Sequence, residues 1–381
     1  MTNTVPIINV LITGANGFIG KNLALHLSQI SNINVIQFSK NDSLAELKQF
    51  VQSANYVVHL AAVNRPSNEL DFHNVNVKLT TNLCNIIKEI NLTTSRYIPI
   101  LFASSTQASL DNPYGRSKVN AEHELKNLFE STGNPSVVFR LPGVFGKWCK
   151  PNYNSVVATF CYNIARKLPI QISDPSKEVP LVYIDDVVSS FLTLLTSNIS
   201  GFSMHTVYPE YKIKLGSLAD LISSFSHSRS NLITERVGSG LTRALYSTYL
   251  SYLPVHEFSY DLKSHSDLRG HFVEVLKTLD SGQFSFFTAF PGVTRGGHFH
   301  NTKTEKFVVI QGSATFRFRN LDTNKYIEIH ANGDHPTVVD SIPGWSHDIT
   351  NVGENDLIVL LWANEIFDRN LPDTYSSSCQ P

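Results

Sequence analysis

The sequence is poor in cysteine, in long apolar runs and in net charge. Its 381 residues include four cysteines, and no two of them are spaced as C-x-x-C. That scatter fits reduced thiols in a cytosol better than a disulfide framework or a cysteine zinc site. No run approaches the ~18 apolar residues of a membrane span. The first ten residues also lack the basic start and apolar core of a secretory leader. We therefore expect a soluble cytoplasmic protein.

Charge and length limit the possible partners and the domain count. Charged residues make up 17% of the chain and the formal net charge is -1, so no basic field attracts nucleic acid. A chain of 381 residues is longer than one ordinary domain and long enough for two domains with separate cores. We expect two domains, and neither nucleic acid nor membrane as a partner.

A glycine turn near the N-terminus organises the first half of the chain. Residues 9–20 read NVLITGANGFIG, an apolar run that leads into three glycines and then into a helical pattern. Gly14 permits the turn, Gly17 lets the backbone approach a pyrophosphate, and Gly20 allows close helix–strand packing. The order of strand, turn and helix favours a dinucleotide site over a purely structural turn. The predicted cofactor contacts in this turn are Gly14, Asn16, Gly17, Phe18, Ile19 and Gly20.

The end of the second predicted strand bears on which cofactor binds. Residues 35–38 form a short apolar run that ends at Ser39 and Lys40, where an acidic residue would hydrogen-bond the ribose 2′-hydroxyl of NAD. Because that acid is missing, Ser39 and Lys40 are predicted to hold the 2′-phosphate of NADP, and NADPH is the predicted cofactor. In the alternative, Lys40 is a solvated loop lysine and Asp42 bonds the ribose.

A third predicted strand, residues 56–62, carries a histidine inside an apolar run. His59 is therefore predicted to be a buried, hydrogen-bonded core residue and not a catalytic one. Small residues stand at the carboxyl end of this strand, where ligands of open α/β sheets bind, and they leave room for a cofactor. The predicted cofactor contacts here are Leu60, Ala61 and Ala62.

Tyr114 and Lys118 form a second constellation. They are four residues apart, so on a helix they share one face. A phenol with a pKa of ~10 needs a nearby cation to act in acid–base catalysis at neutral pH, and Lys118 supplies that cation. A hydroxyl from Ser104, Ser105 or Thr106 is expected to hydrogen-bond the carbonyl oxygen of the substrate on which Tyr114 acts. The pattern Y-x-x-x-K occurs by chance in many helices, but its position after a nucleotide turn and a strand that ends in serines favours catalysis.

These motifs stand in the order found in the extended short-chain dehydrogenase/reductase family, which the chain resembles over about residues 7–250. The matching pieces are TGANGFIG, HLAA, NVNVKLTTNL, ASSTQ, YGRSK, RLPGVFGKW and VYIDDVV. The resemblance implies a doubly wound parallel α/β sheet of the Rossmann type and a nicotinamide cofactor. It also implies that Tyr114 donates a proton and that Lys118 contacts the ribose. Ser105 would orient the substrate, a nucleotide-linked sugar that lies over Asn76 and the segment after residue 140. We place this domain at residues 1–253.

The sequence pattern changes after residue 254. Residues 284–288 and 315–319 alternate with period two, and short apolar runs are separated by Gly, Asp and Asn turns. This pattern predicts an all-β barrel or jelly roll. We place this second domain, of a different class from the first, at residues 254–381.

A third constellation lies in the second domain. His298 and His300 are two residues apart and project from one face of a strand, Glu305 opens the partner strand, and His347 comes later in P-G-W-S-H. Three imidazoles and one carboxylate predict a site for zinc, or for iron, nickel or manganese. In the alternative, the three histidines and the glutamate are ordinary hydrogen-bonded polar residues. The spacing resembles both metal-binding boxes of the cupin family, and we expect one divalent ion, with zinc as the first choice.

Residues 267–274, DLRGHFVE, point to a nucleotide-linked substrate. They resemble the D-x-R-G-x-F-x-E element of cupin-fold epimerases of nucleotide-linked 4-keto-6-deoxysugars, in which Arg269 and Glu274 would help to bind the nucleotide. In that family an R-G-x-H histidine removes a proton, so His298 has two candidate roles. We favour the ligand role, which leaves the epimerising base unassigned. The alternative is a charged edge strand with Arg269 and Glu274 paired on the surface.

The two domains in this order resemble the bifunctional capsular polysaccharide reductases of UDP-N-acetyl-L-fucosamine synthesis. The resemblance implies a homodimer and a UDP-linked 4-keto-6-deoxy-N-acetylhexosamine substrate. This substrate would be inverted at carbon 3 in the barrel and reduced at carbon 4 in the first domain. Two other classes stay open. One is a single-function nucleotide-sugar 4-reductase with a structural barrel, and the other is a non-enzymatic sugar-nucleotide-binding protein.

Overall fold

The chain folds into two compact units in a computed structural model that describes residues 6–379. The first five residues, on which the expectation about a leader partly rests, lie outside the described residues. One unit comprises the chain up to residue 222 together with residues 244–253. The other comprises residues 223–243 and the chain from residue 254 onward. The predicted boundary after residue 253 stays a prediction, and residues 223–243 group with the C-terminal unit.

A six-stranded parallel sheet lies at the centre of the first unit. The strands of this unit are β1 (Ile8–Thr13), β2 (Ile33–Phe38), β3 (Tyr56–His59), β4 (Ile100–Ser105), β5 (Ser136–Leu141), β6 (Gly143–Phe145), β7 (Glu178–Tyr183), β8 (Phe202–His205) and β9 (Tyr211–Lys214). The order in the main sheet is β2-β1-β3-β4-β5-β8, and every neighbouring pair is parallel. A small sheet pairs β7 with β6 and β9. The order in which successive strands join the sheet reverses at β1, with β2 on one side and β3 on the other, and ligands of such folds bind at this switch point.

Eight α-helices lie among the described residues. They are α1 (Phe18–Ser28), α2 (Leu44–Ser53), α3 (Lys78–Thr94), α4 (Pro113–Thr132), α5 (Val156–Ile164), α6 (Ile184–Leu195), α7 (Leu215–Asn231) and α8 (Gly240–Leu250). A π-helical turn at Phe72–Val77 precedes α3, and short 3₁₀ turns lie at Thr106–Ser109 and Val255–Glu257. Helix α1 packs on α6, whereas α2, α3 and α4 pack side by side. This arrangement confirms the predicted α/β class.

Local sequence explains where the key elements begin and how they are buried. Val10, Leu11 and Ile12 of β1 are fully buried, as expected for a parallel strand covered on both faces. Helix α4 begins after Asn112, whose side chain accepts a hydrogen bond from the Gly115 amide. The capped start fixes the register of α4 and hence the direction of its first-turn side chains.

The second unit contains two β-sheets. Its strands are β10 (Ile233–Thr234), β11 (Ser264–Asp267), β12 (Gly270–Thr278), β13 (Gly282–Ala289), β14 (Thr294–Phe299), β15 (Glu305–Gln311), β16 (Ser313–Asn320), β17 (Tyr326–Asn332), β18 (Val338–Ser341), β19 (Trp345–Asn351), β20 (Leu357–Ala363) and β21 (Tyr375–Ser376). One sheet has the order β10-β12-β13-β20-β15-β18 with β11 on β12, and the other has the order β17-β16-β19-β14-β21. A shared core includes Phe287, Phe307, Phe316, Ile349 and Val359. The predicted all-β class is confirmed.

None of the helices within residues 6–379 is long and apolar enough to cross a membrane.

Candidate functional site

The glycine turn is held by contacts that only glycine permits. Gly14 has a φ of +71°, and a Cβ there would lie 2.7 Å from the amide nitrogen of Ala61. A Cβ at Gly20 would lie 2.4 Å from the carbonyl oxygen of Gly14. The turn therefore packs against the residues that follow β3, and the first turn of α1 packs against the glycine turn. Gly17 is its N-cap and offers no capping side chain, so the first amides of α1 are available to an anion.

Two adjoining cavities open beside this turn. The first, of about 440 Å³, contains the predicted catalytic residues together with Gly14, Gly17, Phe18, Ile19, Gly20 and Leu60. Its wall also includes Leu141, Cys149, Lys150, Tyr153 and Asn154, from the segment predicted to face the sugar. The second, of about 560 Å³, is lined by Asn16, Ser39, Lys40, Ala61 and Ala62. The structure thus brings the predicted cofactor residues together around one turn.

The second cavity is lined by one acidic residue and two lysines, of which Asp42 and Lys40 follow β2 and Lys78 begins α3. The Asp42 carboxylate accepts hydrogen bonds from the backbone N–H and the hydroxyl of Ser39, at 2.7 and 2.9 Å. Lys40 is exposed, and both it and Lys78 line the cavity. The Ser39 hydroxyl is therefore already engaged with Asp42, which leaves the lysines as the available cationic groups.

Tyr114 lies in the first turn of α4 and faces the first cavity. Burial raises the pKa of its phenol above the usual value, although a hydrogen bond with the Ser105 side chain acts in the opposite direction. Tyr114 is therefore protonated at neutral pH. A protonated phenol that faces a cavity beside a serine hydroxyl can donate a proton to a bound oxygen.

Lys118 lies one turn further along α4 and is only 3% exposed. Its Nζ donates to the carbonyl oxygen of Ala103 at 2.8 Å and lies 5.9 Å from the centre of the Tyr114 ring. Burial lowers the pKa of Lys118 to about 8, and the nearby charge of Glu122 opposes that shift. Lys118 thus stays mostly protonated at pH 7 despite its burial.

Ser104 and Ser105 at the end of β4 have different environments. Ser104 is buried, and its hydroxyl donates to Glu122 at 2.5 Å. Glu122 also accepts two hydrogen bonds from Arg140, at 3.0 and 2.6 Å. Ser105 is less buried and shares the cavity with Tyr114. Of these two serines, Ser105 has the hydroxyl that remains available to a ligand.

Asn76, over which the sugar is predicted to lie, is not among the residues that line the first cavity. It is 2% exposed, and its amide group bonds the N–H and the C=O of Val63 at 2.8 and 2.9 Å. The same Nδ2 donates to the hydroxyl of Ser117 at 2.9 Å. Its hydrogen-bonding groups are thus occupied, and Asn76 ties the loop after β3 to helix α4.

The predicted metal ligands converge inside the second unit. His298, His300, Glu305 and His347 each offer a ligand atom, and these atoms all lie within 4.8 Å of one another. The Glu305 Oε2 lies 3.1 Å from Nε2 of His300 and 3.3 Å from Nε2 of His347. Three imidazoles and one carboxylate at this separation fit the donor set and coordination number of zinc.

The protonation of His298 and Glu305 also suits a cation. Burial lowers the pKa of His298 to about 4, so the imidazole is neutral at pH 7 and has a free lone pair. Burial raises the pKa of the Glu305 carboxyl, yet hydrogen bonds with His300 and His347 outweigh that effect and leave the pKa below its usual range. A neutral imidazole and an ionised carboxylate are the forms that bind metal.

A cavity of about 220 Å³ adjoins the cluster and contains two arginines. Arg269 makes a double hydrogen bond to Asp267, at 3.1 and 2.6 Å. Arg295 donates through Nε to the carbonyl oxygen of Thr288, and its buried Nη2 has no hydrogen-bond partner among the described residues. Glu274 is not among the residues that line the cavity. It forms an ion pair with Lys277 at 3.0 Å.

Sequence reasoning missed several of these residues. Glu122 was detectable, because it lies one helical turn beyond Lys118 and completes Y-x-x-x-K-x-x-x-E. Arg295 was also detectable, because it is the arginine of the R-G-x-H pattern that ends at His298. Asp373 gave no signal, since its backbone oxygen accepts a hydrogen bond from Nδ1 of His300, 73 residues away in sequence.

Sequence comparison divides the chain into two family matches. Residues 10–207 match the NAD dependent epimerase/dehydratase family, and residues 265–375 match the polysaccharide biosynthesis C-terminal domain. A Pseudomonas aeruginosa protein named UDP-2-acetamido-2,6-beta-L-arabino-hexul-4-ose reductase is 54% identical over 369 residues. That match covers 97% of this chain and 98% of the relative.

Solved structures give the same assignment. The capsular polysaccharide assembling protein CapF from Staphylococcus aureus matches at a TM-score of 0.89 and 40% identity, covering 97% of this chain and 100% of that one. A Bacillus cereus UDP-glucuronic acid 4-epimerase in complex with NAD matches 64% of this chain and 98% of its own. With a TM-score of 0.54 and 18% identity, that second likeness concerns the fold alone. The chain belongs to the NAD dependent epimerase/dehydratase family, as a CapF-like member in which a polysaccharide biosynthesis C-terminal domain follows the dinucleotide-binding fold.

Proposed function

We propose that this chain is a bifunctional nucleotide-sugar enzyme. The second unit inverts carbon 3 of a UDP-2-acetamido-2,6-dideoxy-4-hexulose, and the first unit then reduces the 4-keto group to give UDP-2-acetamido-2,6-dideoxy-L-talose. The observation that carries the reductase half is the presence of Ser105, Tyr114 and Lys118 in the cavity that the glycine turn borders. The name of the P. aeruginosa relative, a UDP-hexulose reductase, supports the substrate class.

The residues around the first cavity account for the reduction. A nicotinamide held at the glycine turn would supply the hydride for the new C–H bond at carbon 4 of the sugar. Ser105 holds the ketone oxygen by a hydrogen bond, and Tyr114 donates its phenolic proton to that oxygen as the C=O double bond becomes C–OH. The charge of Lys118 stabilises the phenolate that Tyr114 becomes, until solvent returns the proton.

The proposed cofactor is NADPH. Lys40 and Lys78 line the cavity in which the adenosine end would lie, and the carboxylate of Asp42 is turned to Ser39. Lys40 is the proposed partner of the 2′-phosphate. The competing assignment is NADH, with Asp42 accepting a ribose hydroxyl, and the two assignments predict different effects of substitution.

The second unit is proposed to hold one divalent ion, with zinc as the first choice, through His298, His300, Glu305 and His347. The ion would supply positive charge near the ketone oxygen, where an enolate develops when carbon 3 loses its proton. Arg269 and Arg295 line the adjoining cavity, and we propose that they balance the charge of a diphosphate there. The imidazole and carboxylate groups among the described residues that line this cavity all belong to the metal cluster, so the epimerising base stays unassigned.

The chemistry fixes the order of the two reactions. A ketone acidifies the C–H bond on the neighbouring carbon, so carbon 3 can be inverted only while the 4-keto group is present. Reduction removes the ketone, so the carbon-3 proton can no longer be removed and the inversion stops. We further propose a homodimer that forms through the C-terminal units, as the resemblance to the capsular enzymes implies.

Substituting Tyr114 by Phe tests the division of labour. We expect Tyr114→Phe to lower the rate of NADPH oxidation by about 10²- to 10⁴-fold, because the proton donor is lost. Exchange of the carbon-3 proton should continue, so the inverted ketone accumulates. Tyr97→Phe is the matched control, since Tyr97 is exposed and lies outside both cavities. Loss of both reactions in Tyr114→Phe would contradict the assignment of separate sites.

A further inference from the structure

One short turn connects two of the metal-binding side chains. It runs from His300, just after β14, to Glu305, the first residue of β15. The carboxylate of Asp373 accepts hydrogen bonds from the backbone N–H groups of Asn301, Thr302 and Lys303, each at 2.9 Å. The Thr302 hydroxyl adds a fourth hydrogen bond at 3.2 Å. One distant carboxylate therefore fixes the whole turn between the two ligands.

The same residue also orients a ligand directly. Nδ1 of His300 donates to the backbone carbonyl oxygen of Asp373 at 2.5 Å. Because a carbonyl oxygen can only accept, Nδ1 carries a proton, and Nε2 is the ring nitrogen that faces Glu305, at 3.1 Å, and that an ion would contact. Metal-bound histidines commonly donate their second ring N–H in this way, which fixes the tautomer and the ring orientation.

The segment around Asp373 is anchored on both sides. Lys303 is 4% exposed, and its Nζ donates to the carbonyl oxygen of Pro372 at 2.7 Å. Strand β21 then pairs with β14, with Ser376 opposite His298. The Ser377 amide donates to the carbonyl oxygen of Gly297 at 2.9 Å. Residues 372–377 thus contact the segments that carry His298, His300 and Glu305.

We propose that residues 372–377 are part of the metal site, with Asp373 as the positioning residue that fixes His300 and the turn leading to Glu305. This inference rests on the metal binding proposed above. It predicts that zinc affinity depends on a side chain that does not itself reach the ion.

Zinc affinity of full-length variants, measured by competition with a chromogenic chelator, tests this inference. Asp373 has a φ of +37°, which glycine adopts without strain, so Asp373→Gly removes the carboxylate without opposing the backbone conformation. We expect Asp373→Gly to bind zinc about 10- to 100-fold more weakly. Asp373→Asn keeps one acceptor oxygen and should lose less affinity. Asp280→Asn is the control, because Asp280 pairs with Arg236 on the surface.

A second readout separates positioning from a purely structural role. We expect the visible absorption of the Co²⁺-loaded protein to change in Asp373→Gly and to stay unchanged in Asp280→Asn. A lower Tm with unchanged zinc affinity and Co²⁺ spectrum would overturn the inference. If Asp373→Gly does not fold, Asp373→Asn becomes the test variant. A folded Asp373→Asn protein that binds zinc as tightly as the wild-type protein would also overturn the inference. If the wild-type protein binds no zinc, the proposed metal function fails as well.

Discussion

The surroundings of Tyr114 favour a proton donor over a proton acceptor. Burial keeps the pKa of the phenol above its usual value, so the resting side chain carries its proton. The same burial lowers the pKa of Lys118 to about 8, so this cation is retained at some cost in stability. Arg140 already pairs with Glu122, and the buried carboxylate therefore has a partner of its own. These charges suit a reaction in the reductive direction.

At the residue scale, the cofactor assignment depends on Lys40. We expect Lys40→Ala to raise KM for NADPH about tenfold, equivalent to about 1.4 kcal/mol, because a charged contact with the 2′-phosphate is lost. KM for NADH should not change, since NADH carries no phosphate there. Steady-state kinetics with both cofactors provides the measurement. Lys48→Ala is the control, because Lys48 pairs with Glu89 on the surface. An Asp42→Asn variant impaired only with NADH would instead support the ribose assignment.

His59 is a second residue whose environment predicts a measurable property. The predicted core role is confirmed, since the ring is fully buried and hydrogen-bonds with Thr13 at 2.6 Å and Thr80 at 2.9 Å. Burial lowers the pKa of His59 to about 3. Between pH 3 and about 6.5 the unfolded chain therefore binds a proton that the folded chain does not. Stability rises with pH through that window and is lost as pH falls.

We expect His59 alone to lower the free energy of unfolding by about 3 kcal/mol between pH 7 and pH 4. His59→Gln retains polar atoms but does not titrate, so its unfolding free energy should change less over this range. Urea denaturation at several pH values gives the comparison. His123→Gln, at an exposed position on α4, should keep the wild-type slope. An unchanged slope in His59→Gln would show that the buried imidazole is not the source of acid sensitivity.

At the element scale, sequence patterns predicted those parts of the site whose residues are close together in the chain. The glycine turn and the Tyr114–Lys118 pair each lie within a few residues, so sequence spacing alone positions their groups. The contacts of Asn76 were not predicted, because its partners, Val63 and Ser117, are 13 and 41 residues away. No periodicity in the sequence indicates such a link. The role of Asp373 escaped prediction for the same reason.

Strand β10 belongs to the C-terminal unit and gives a test at this scale. Ile233 and Thr234 pair in parallel with β12, and the Lys277 amide donates to the carbonyl oxygen of Leu232. A fragment of residues 1–253 removes β12, so these backbone groups lose their partners. We expect limited proteolysis followed by mass spectrometry to cut the fragment faster within residues 223–243 than the full chain. Cleavage within α4 should be equal in both proteins. Equal protection of residues 223–243 would contradict the assignment of this segment to the second unit.

At the scale of the whole molecule, the proposed function combines two reactions of one ketone, inversion of the neighbouring carbon and reduction of the ketone itself. The first unit offers a proton donor beside a dinucleotide turn, and the second offers a cluster of ligands beside two arginines. The two family matches cover residues 10–207 and 265–375, and the P. aeruginosa relative matches 97% of the chain. The single-function alternative assigns only a structural role to the C-terminal unit.

One assay in deuterated water tests the central claim most directly. The UDP-4-keto-6-deoxy-N-acetylhexosamine is supplied to the full-length protein, and deuterium at the carbon beside the ketone is followed together with NADPH absorbance. The account predicts that deuterium enters without NADPH and that oxidation starts once NADPH is added. Oxidation without any deuterium entry would contradict it and leave a plain reductase with a structural barrel.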